Sequence, residues 1–235
     1  MGEIIWILLI AITVRIIFWV WKKIKLRKEL SKNRFLLLSV TKPNRGTPSE
    51  RNIVVDLVKC GISSGAIFHD LYVELNNNFF SQVDIVVATK VGIIVIEIKD
   101  YSGWIFGKGY QNEWTQVLAY GKSKQKFYNP IMQNNGHIEA LKKKLHDVAH
   151  VPYFSVILFS DRCVLRDVSR IPHNTYIGYF SQSHSIIKHI IENQPIAFYR
   201  DKRAVINVLK EAVSNGDNYD IVDSHIRNVE AFYQA

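Results

Sequence analysis

The sequence predicts an α/β fold: a central mixed sheet flanked by helices, built in the order helix, three strands, helix, strand. Three observations lead there. The run SQVDIVVATKVGIIVIEIK at 81–99 reads as two apolar strands joined by a turn at 89–92. Helix starts bracket it, Thr47-Pro48-Ser49-Glu50 before and Asn129-Pro130 after. A second apolar run at 153–159 is short enough to be a buried strand. An N-terminal transmembrane helix is expected ahead of this core and a C-terminal helical segment behind it.

The transmembrane reading rests on residues 4–21, IIWILLIAITVRIIFWVW, in which only Thr13 and Arg15 are polar. About 20 such residues span a bilayer as a helix. Trp6, Trp19 and Trp21 suit the two interfaces. Arg15 lies past the centre and can snorkel toward the C-terminal side. Glu3 stands where a signal peptide would be basic, and no small-residue cleavage site follows. Lys22, Lys23, Lys25, Arg27 and Lys28 then give a positive-inside signal, which predicts a single-pass protein with everything after Trp21 in the cytoplasm. The same residues, 22–28, suit anionic lipid headgroups.

The net charge of +9 belongs to this end of the chain. Residues 1–45 hold ten Lys/Arg against Glu3 and Glu29, whereas the rest holds 20 against 19 acids. Charge alone therefore makes no case for nucleic acid. Cys60 and Cys163 lack the spacing of a zinc site or a disulfide framework and are expected as buried thiols.

Residues 22–45 read as a polar, basic linker ending in a turn-rich boundary at 41–46. The helix capped by Thr47 carries Ile53, Val54, Leu57 and Val58 at helical spacing and stops at Gly61. Strands follow at 66–75, 81–88 and 92–99. Residues 101–114 are expected to form a hairpin that uses Gly103 and Gly107–Gly109 as turns. The helix opened by Asn129-Pro130 runs to about 148, with Ile131, Ile138, Leu141 and Leu145 as its apolar stripe. Past the 153–159 strand come a strand at 175–180 and helices at 185–191, 202–213 and 220–233. The expected division is 1–21 membrane helix, 22–45 linker, 46–160 core domain and 161–235 C-terminal extension.

Chemistry concentrates on the 81–99 hairpin. Residues two apart on a strand share a face, so Glu97 and Lys99 point together, with Asp84 within reach on the neighbouring strand. Charges on one face of a Val/Ile-rich hairpin are costly unless paired or bound to a metal. Hard cations such as Mg²⁺ or Mn²⁺ take oxygen ligands and keep several waters, so Asp84 and Glu97 suffice as carboxylates. Lys99 beside them is expected to stay protonated and to orient a water or stabilise developing charge.

The ordered set Gly46-x-x-x-Glu50, Gln82-Val-Asp84, Gly92-Ile-Ile-Val-Ile-Glu97-Ile-Lys99, Ser102-Gly-Trp104 with Gly107 and Trp114, and Asn129-Pro130-x-x-Gln133-x-x-x-His137 resembles the nuclease-related domain (NERD) family of the PD-(D/E)XK nuclease superfamily. The resemblance implies a restriction-endonuclease-like core and a divalent-metal-dependent phosphodiesterase. Its nucleic-acid substrate would be DNA rather than RNA. It also implies that the backbone carbonyl of Ile98 and the Glu50 carboxylate join Asp84 and Glu97 around the metal, and that Gln133 faces the site to support Lys99 or the phosphate. Ser49 stands where the family usually has glycine. Other readings stay open: Glu50 as a capping-box acid, Gln133 on a solvated helix face, His137 as a packing residue. Gln82 could order Asp84. The aromatics Trp104, Phe106, Tyr110 and Trp114 could stack on bases or pack on the sheet. His146 and His150 read as solvated residues, as does the Lys142-Lys143-Lys144 run. The alternative function is a non-catalytic nucleic-acid- or protein-binding module, or a membrane scaffold, on the same fold.

Overall fold

The computed structural model describes residues 2–76, 79–118 and 121–234. Helix α1 (Gly2–Leu38) is continuous, so most of the expected linker is helical. Among the described residues no helix is long and apolar enough to cross a membrane. The expected span includes residues 4, 5 and 7–11, whose side chains lie outside the described ones. Leu37 and Val40, at the C-terminal end of this segment, pack into the core.

Helix α2 (Pro48–Lys59) starts as its sequence demands: Thr47 caps it, accepting from the Glu50 N–H, and Pro48 occupies the first turn. Then come β1 (Ile67–Asn76), β2 (Phe79–Thr89) and β3 (Gly92–Lys99). A second group follows, β4 (Gly103–Lys108), β5 (Glu113–Leu118) and β6 (Ser123–Tyr128), and leads into α3 (Pro130–Leu145). The chain closes with β7 (Tyr153–Phe159), β8 (Cys163–Ser169), β9 (Thr175–Tyr179), α4 (Ser183–Asn193), α5 (Lys202–Asn215) and α6 (Tyr219–Gln234).

The main sheet has the order β1-β2-β3-β7-β9, antiparallel from β1 to β3 and parallel from β3 to β9. It is the expected mixed sheet with flanking helices. Strand β3 alternates between two cores. Ile93 and Val95 face Ile138, Leu141 and Leu145 of α3 and Leu209 of α5. Ile94 and Ile96 face Ile53, Val54 and Leu57 of α2 and Ile187 and Ile190 of α4. A strand buried on both faces must be apolar throughout, which is why 92–98 reads as a nearly unbroken aliphatic run.

A smaller sheet, β6-β5-β4-β8, departs from expectation. The β4–β5 hairpin exists, but Gly103 opens β4 and Gly107 lies inside it instead of in a turn. A Cβ on Gly107 would fall 2.2 Å from the Trp114 ring, so glycine here permits close packing. Strands β6 and β8 had no sequence signal. Trp114 and Ile105 of this sheet pack on Phe159 and Ile157 of β7, joining the two sheets. Cys163 is buried as expected, whereas Cys60 is exposed at the end of α2.

Candidate active site

Asp84, Glu97 and Lys99 meet because β2 and β3 pair Ile85 with Ile96, which sets Asp84 against Glu97 across the ladder. The Ile98 N–H donates to Asp84 Oδ2 at 2.8 Å. Lys99 Nζ lies 2.6 Å from Glu97 Oε1 and donates to Gln133 Oε1 of α3 at 2.8 Å. Gln133 is thus on the site face and engages Lys99. Asn129 places it: the Asn129 side chain caps α3 through the Ile131 N–H and ties it to the β4–β5 turn by donating to the carbonyls of Gly109 and Gln111. Asn134, fully buried on the same helix, donates to Val95 O of β3 and Ser155 Oγ of β7. Those bonds fix α3 against the two strands beneath it.

His137, read from sequence as a packing residue, also reaches the site. Its Nδ1 lies 2.6 Å from Ser81 Oγ and its Nε2 lies 3.3 Å from Glu97 Oε2. The latter pair is close enough for ionic attraction but outside hydrogen-bond geometry. Both atoms are buried without a hydrogen-bond partner.

Glu50 does both things the sequence allowed. It completes the cap, accepting from Thr47 Oγ1 at 2.6 Å, and its other oxygen faces His69 Nε2 at 3.2 Å. It is also near enough to raise the Asp84 pKa. His69, fully buried on β1, is held on its other side by Thr41 Oγ1 at 3.1 Å. Sequence reasoning missed it. Gly46 makes the pairing possible: it has φ +57°, and a Cβ there would sit 2.3 Å from Glu50 Oε2 and 2.4 Å from His69 Nε2.

Gln82 does not order Asp84. Its Nε2 donates to Asp70 Oδ1 at 2.7 Å. The β1–β2 ladder pairs His69 with Ile85 and Leu71 with Val83 but skips Asp70, which adopts φ +56°. In regular pairing Asp70 would stand opposite Asp84, carboxylate against carboxylate. The left-handed turn sends it instead to Arg45, whose Nε donates at 2.6 Å.

The electrostatics follow from this packing. Burial pushes the Asp84 carboxyl well above its ordinary range, and the charges of Glu97 and Glu50 push it further. Burial also acts to raise Glu97, but the Lys99 ammonium and then His137 outweigh it and hold Glu97 below its usual value. Burial would lower the Lys99 pKa, yet the Glu97 carboxylate more than reverses this, so the ammonium stays charged. Lys99 therefore compensates Glu97, while Asp84, buried beside Glu97 and Glu50, is driven toward its neutral form.

Among the described residues no group of three or more His, Cys, Asp or Glu side chains is disposed to hold a metal ion. The donor set still fits a hard divalent cation, which needs only one or two carboxylates and keeps its waters. Glu97 Oε2 is a buried oxygen without a hydrogen-bond donor, and the carboxylate form of Asp84, disfavoured by burial and by Glu97 and Glu50, is the form a cation would stabilise.

Part of the sequence matches a known family model. Residues 45–160 match the nuclease-related domain. That segment, which contains Arg45, Glu50, Asp84, Glu97, Lys99 and Gln133, is similar to the nuclease-related domain family. An uncharacterized protein of Bacillus anthracis is 27% identical over 144 residues, covering 61% of this chain. The chain spans 66% of that relative's length, just under two thirds. No solved structure gives a significant match. The matched segment ends one residue past β7 of the main sheet, and β8, β9 and the last three helices lie beyond it.

Proposed function

We propose that the chain is a membrane-anchored, divalent-metal-dependent nuclease that hydrolyses phosphodiester bonds of DNA on the cytoplasmic side. The observation that carries the reading is the Asp84–Glu97–Lys99 cluster, with Lys99 kept protonated by Glu97 and aimed by Gln133. Asp84 and Glu97 would hold Mg²⁺ or Mn²⁺, with the Ile98 carbonyl and Glu50 as further oxygen donors. A bound cation of this kind lowers the pKa of water and offsets charge at the phosphate. Lys99 presents a fixed positive charge where the phosphorane-like oxygens would develop. Gln133 fixes the direction of that charge, and His69 fixes the rotamer of Glu50. The full chain with Mg²⁺ is expected to nick or degrade DNA, EDTA to stop it, and Asp84→Asn to reduce it at least about a hundredfold. Full activity in EDTA would rule out the metal, and full activity of Asp84→Asn would rule out the site.

The anchor rests on the apolar run at 4–21 and on what surrounds its described part. Ile12, Val14, Ile16, Ile17, Phe18, Trp19 and Trp21 are all exposed along α1, an arrangement water does not favour. Lys23 stacks on Trp19 at 4.7 Å and Lys25 on Trp21 at 5.3 Å, as expected for an interfacial belt. The chain expressed in bacteria is expected to stay with membranes through alkaline carbonate washing and to be released when residues 1–21 are deleted. Release of the intact chain by carbonate would reduce α1 to a peripheral contact.

A further inference from the structure

We propose that the outward face of the small sheet is a binding platform for single-stranded nucleic acid. The register Trp104↔Val117 and Phe106↔Thr115 puts Trp104 and Phe106 on one face, and Val117↔Lys124 and Thr115↔Lys126 carry that face onto β6. The opposite face holds Ile105, Trp114 and Phe127 and is spent on the core. On this face Trp104 and Phe106 are half-buried and Lys124 and Lys126 are exposed. From β8, the Arg166 guanidinium lies over the Trp104 ring at 4.9 Å. Lys108 extends the face beyond Phe106.

Charge complementarity chooses the occupant. Lys108, Lys124, Lys126 and Arg166 face outward against Glu113, which pairs with Lys126 at 2.8 Å, and Asp167. The excess is positive in a region of the chain whose overall charge is near zero. Aromatic rings and a guanidinium plane among lysines bind a strand by stacking its bases and tracking its phosphates. Stacking needs base faces that a duplex hides, so the strand is single. The platform also joins the catalytic cluster through the chain. Strand β3 passes from Lys99 through Asp100–Ser102 into β4, and β6 passes through Asn129 into the helix bearing Gln133. A strand held on the platform would lie beside both elements that shape the site. The choice of nucleic acid rests on the nuclease reading, and the experiment separates the two.

The test is fluorescence anisotropy of a labelled oligo-dT and of a duplex of equal length, with the detergent-solubilised full chain in EDTA. Oligo-dT is expected to bind more tightly than the duplex. Lys124→Glu/Lys126→Glu, at exposed positions, is expected to weaken it about tenfold or more and to lower the salt slope by about 1.4. Trp104→Leu is expected to weaken it roughly ten- to a hundredfold. Equal binding by the lysine variant, or a preference for duplex, overturns the proposal. So does a response of the lysine-dependent surface to phosphatidylserine-containing micelles but not to oligo-dT, which would make the face a lipid contact. Cleavage assayed in parallel keeps the two claims apart. A chain that cleaves while its face variants bind normally sinks the platform alone. A chain that binds through the face but never cleaves sinks the nuclease reading alone.

Discussion

Lys99→Met is expected to lower Mg²⁺-dependent cleavage by at least about a hundred- to a thousandfold, the effect of deleting one preorganised charge-stabilising donor. The side chain has two jobs. Its ammonium sits 2.6 Å from Glu97 Oε1 and donates to Gln133 Oε1 at 2.8 Å, so it is fixed before any substrate arrives. It is also the partner that keeps Glu97 ionised in a buried position. Removing it alone leaves a buried carboxylate uncompensated, which costs stability and could be mistaken for a loss of catalysis. The double change Glu97→Gln/Lys99→Met removes both charges and keeps the side-chain volumes nearly constant. It is expected to melt closer to the parent chain than Lys99→Met does and to be as inactive. Cleavage by Lys99→Met above a tenth of the parent rate, with the melting temperature unchanged, would show that Lys99 takes no part in the chemistry.

The parts of the fold that were legible are those written in local patterns. The Thr47 and Asn129 caps, the two-sided apolar run of β3 and the short run of β7 each announce themselves within a few residues. They carry Glu50, Gln133, Glu97 and Lys99, so most of the candidate site came with them. Beyond its β4–β5 hairpin the small sheet was illegible, because β6, Ser-Lys-Gln-Lys-Phe-Tyr, is mostly polar and exposed and shows no apolar alternation. Its glycines misled for a related reason: Gly107 answers to the Trp114 ring packed against it, a contact that turn statistics do not contain. His69 and Arg45 were missed because their partners are distant in sequence. His69 needs Glu50 and Thr41, and Arg45 needs Asp70 and Asp217. His137 was undervalued because its helix position left two faces open. Only the register of β3 showed that Glu97 lay beneath it.

Arg45→Ala is expected to destabilise the chain by about 3–5 kcal/mol, the usual result of stripping one partner from a buried ion pair. Arg45 and Asp70 are both almost fully enclosed, at 8% and 7% side-chain exposure. The guanidinium also donates to the Asp70 and Val213 carbonyls and to Asp217 Oδ1 at 3.0 Å, so it joins β1 to the α5–α6 turn. Gly216 lets it in: a Cβ there would lie 2.0 Å from Arg45 Nη2. At this chain length the loss corresponds to a fall in melting temperature of about 6–20 °C. Lysine is not expected to rescue, since one ammonium cannot serve Asp70, Val213 and Asp217 from a fixed plane. The pair reaches the site through the backbone, because Gly46 follows Arg45 and the Arg51 side chain grips the carbonyls of both. In a double-mutant cycle, Arg45→Met and Asp70→Asn should together cost less than the sum of the two single changes. Additive effects would mean that the two side chains do not stabilise each other, and Asp70 would then need another reason for leaving the β1–β2 ladder.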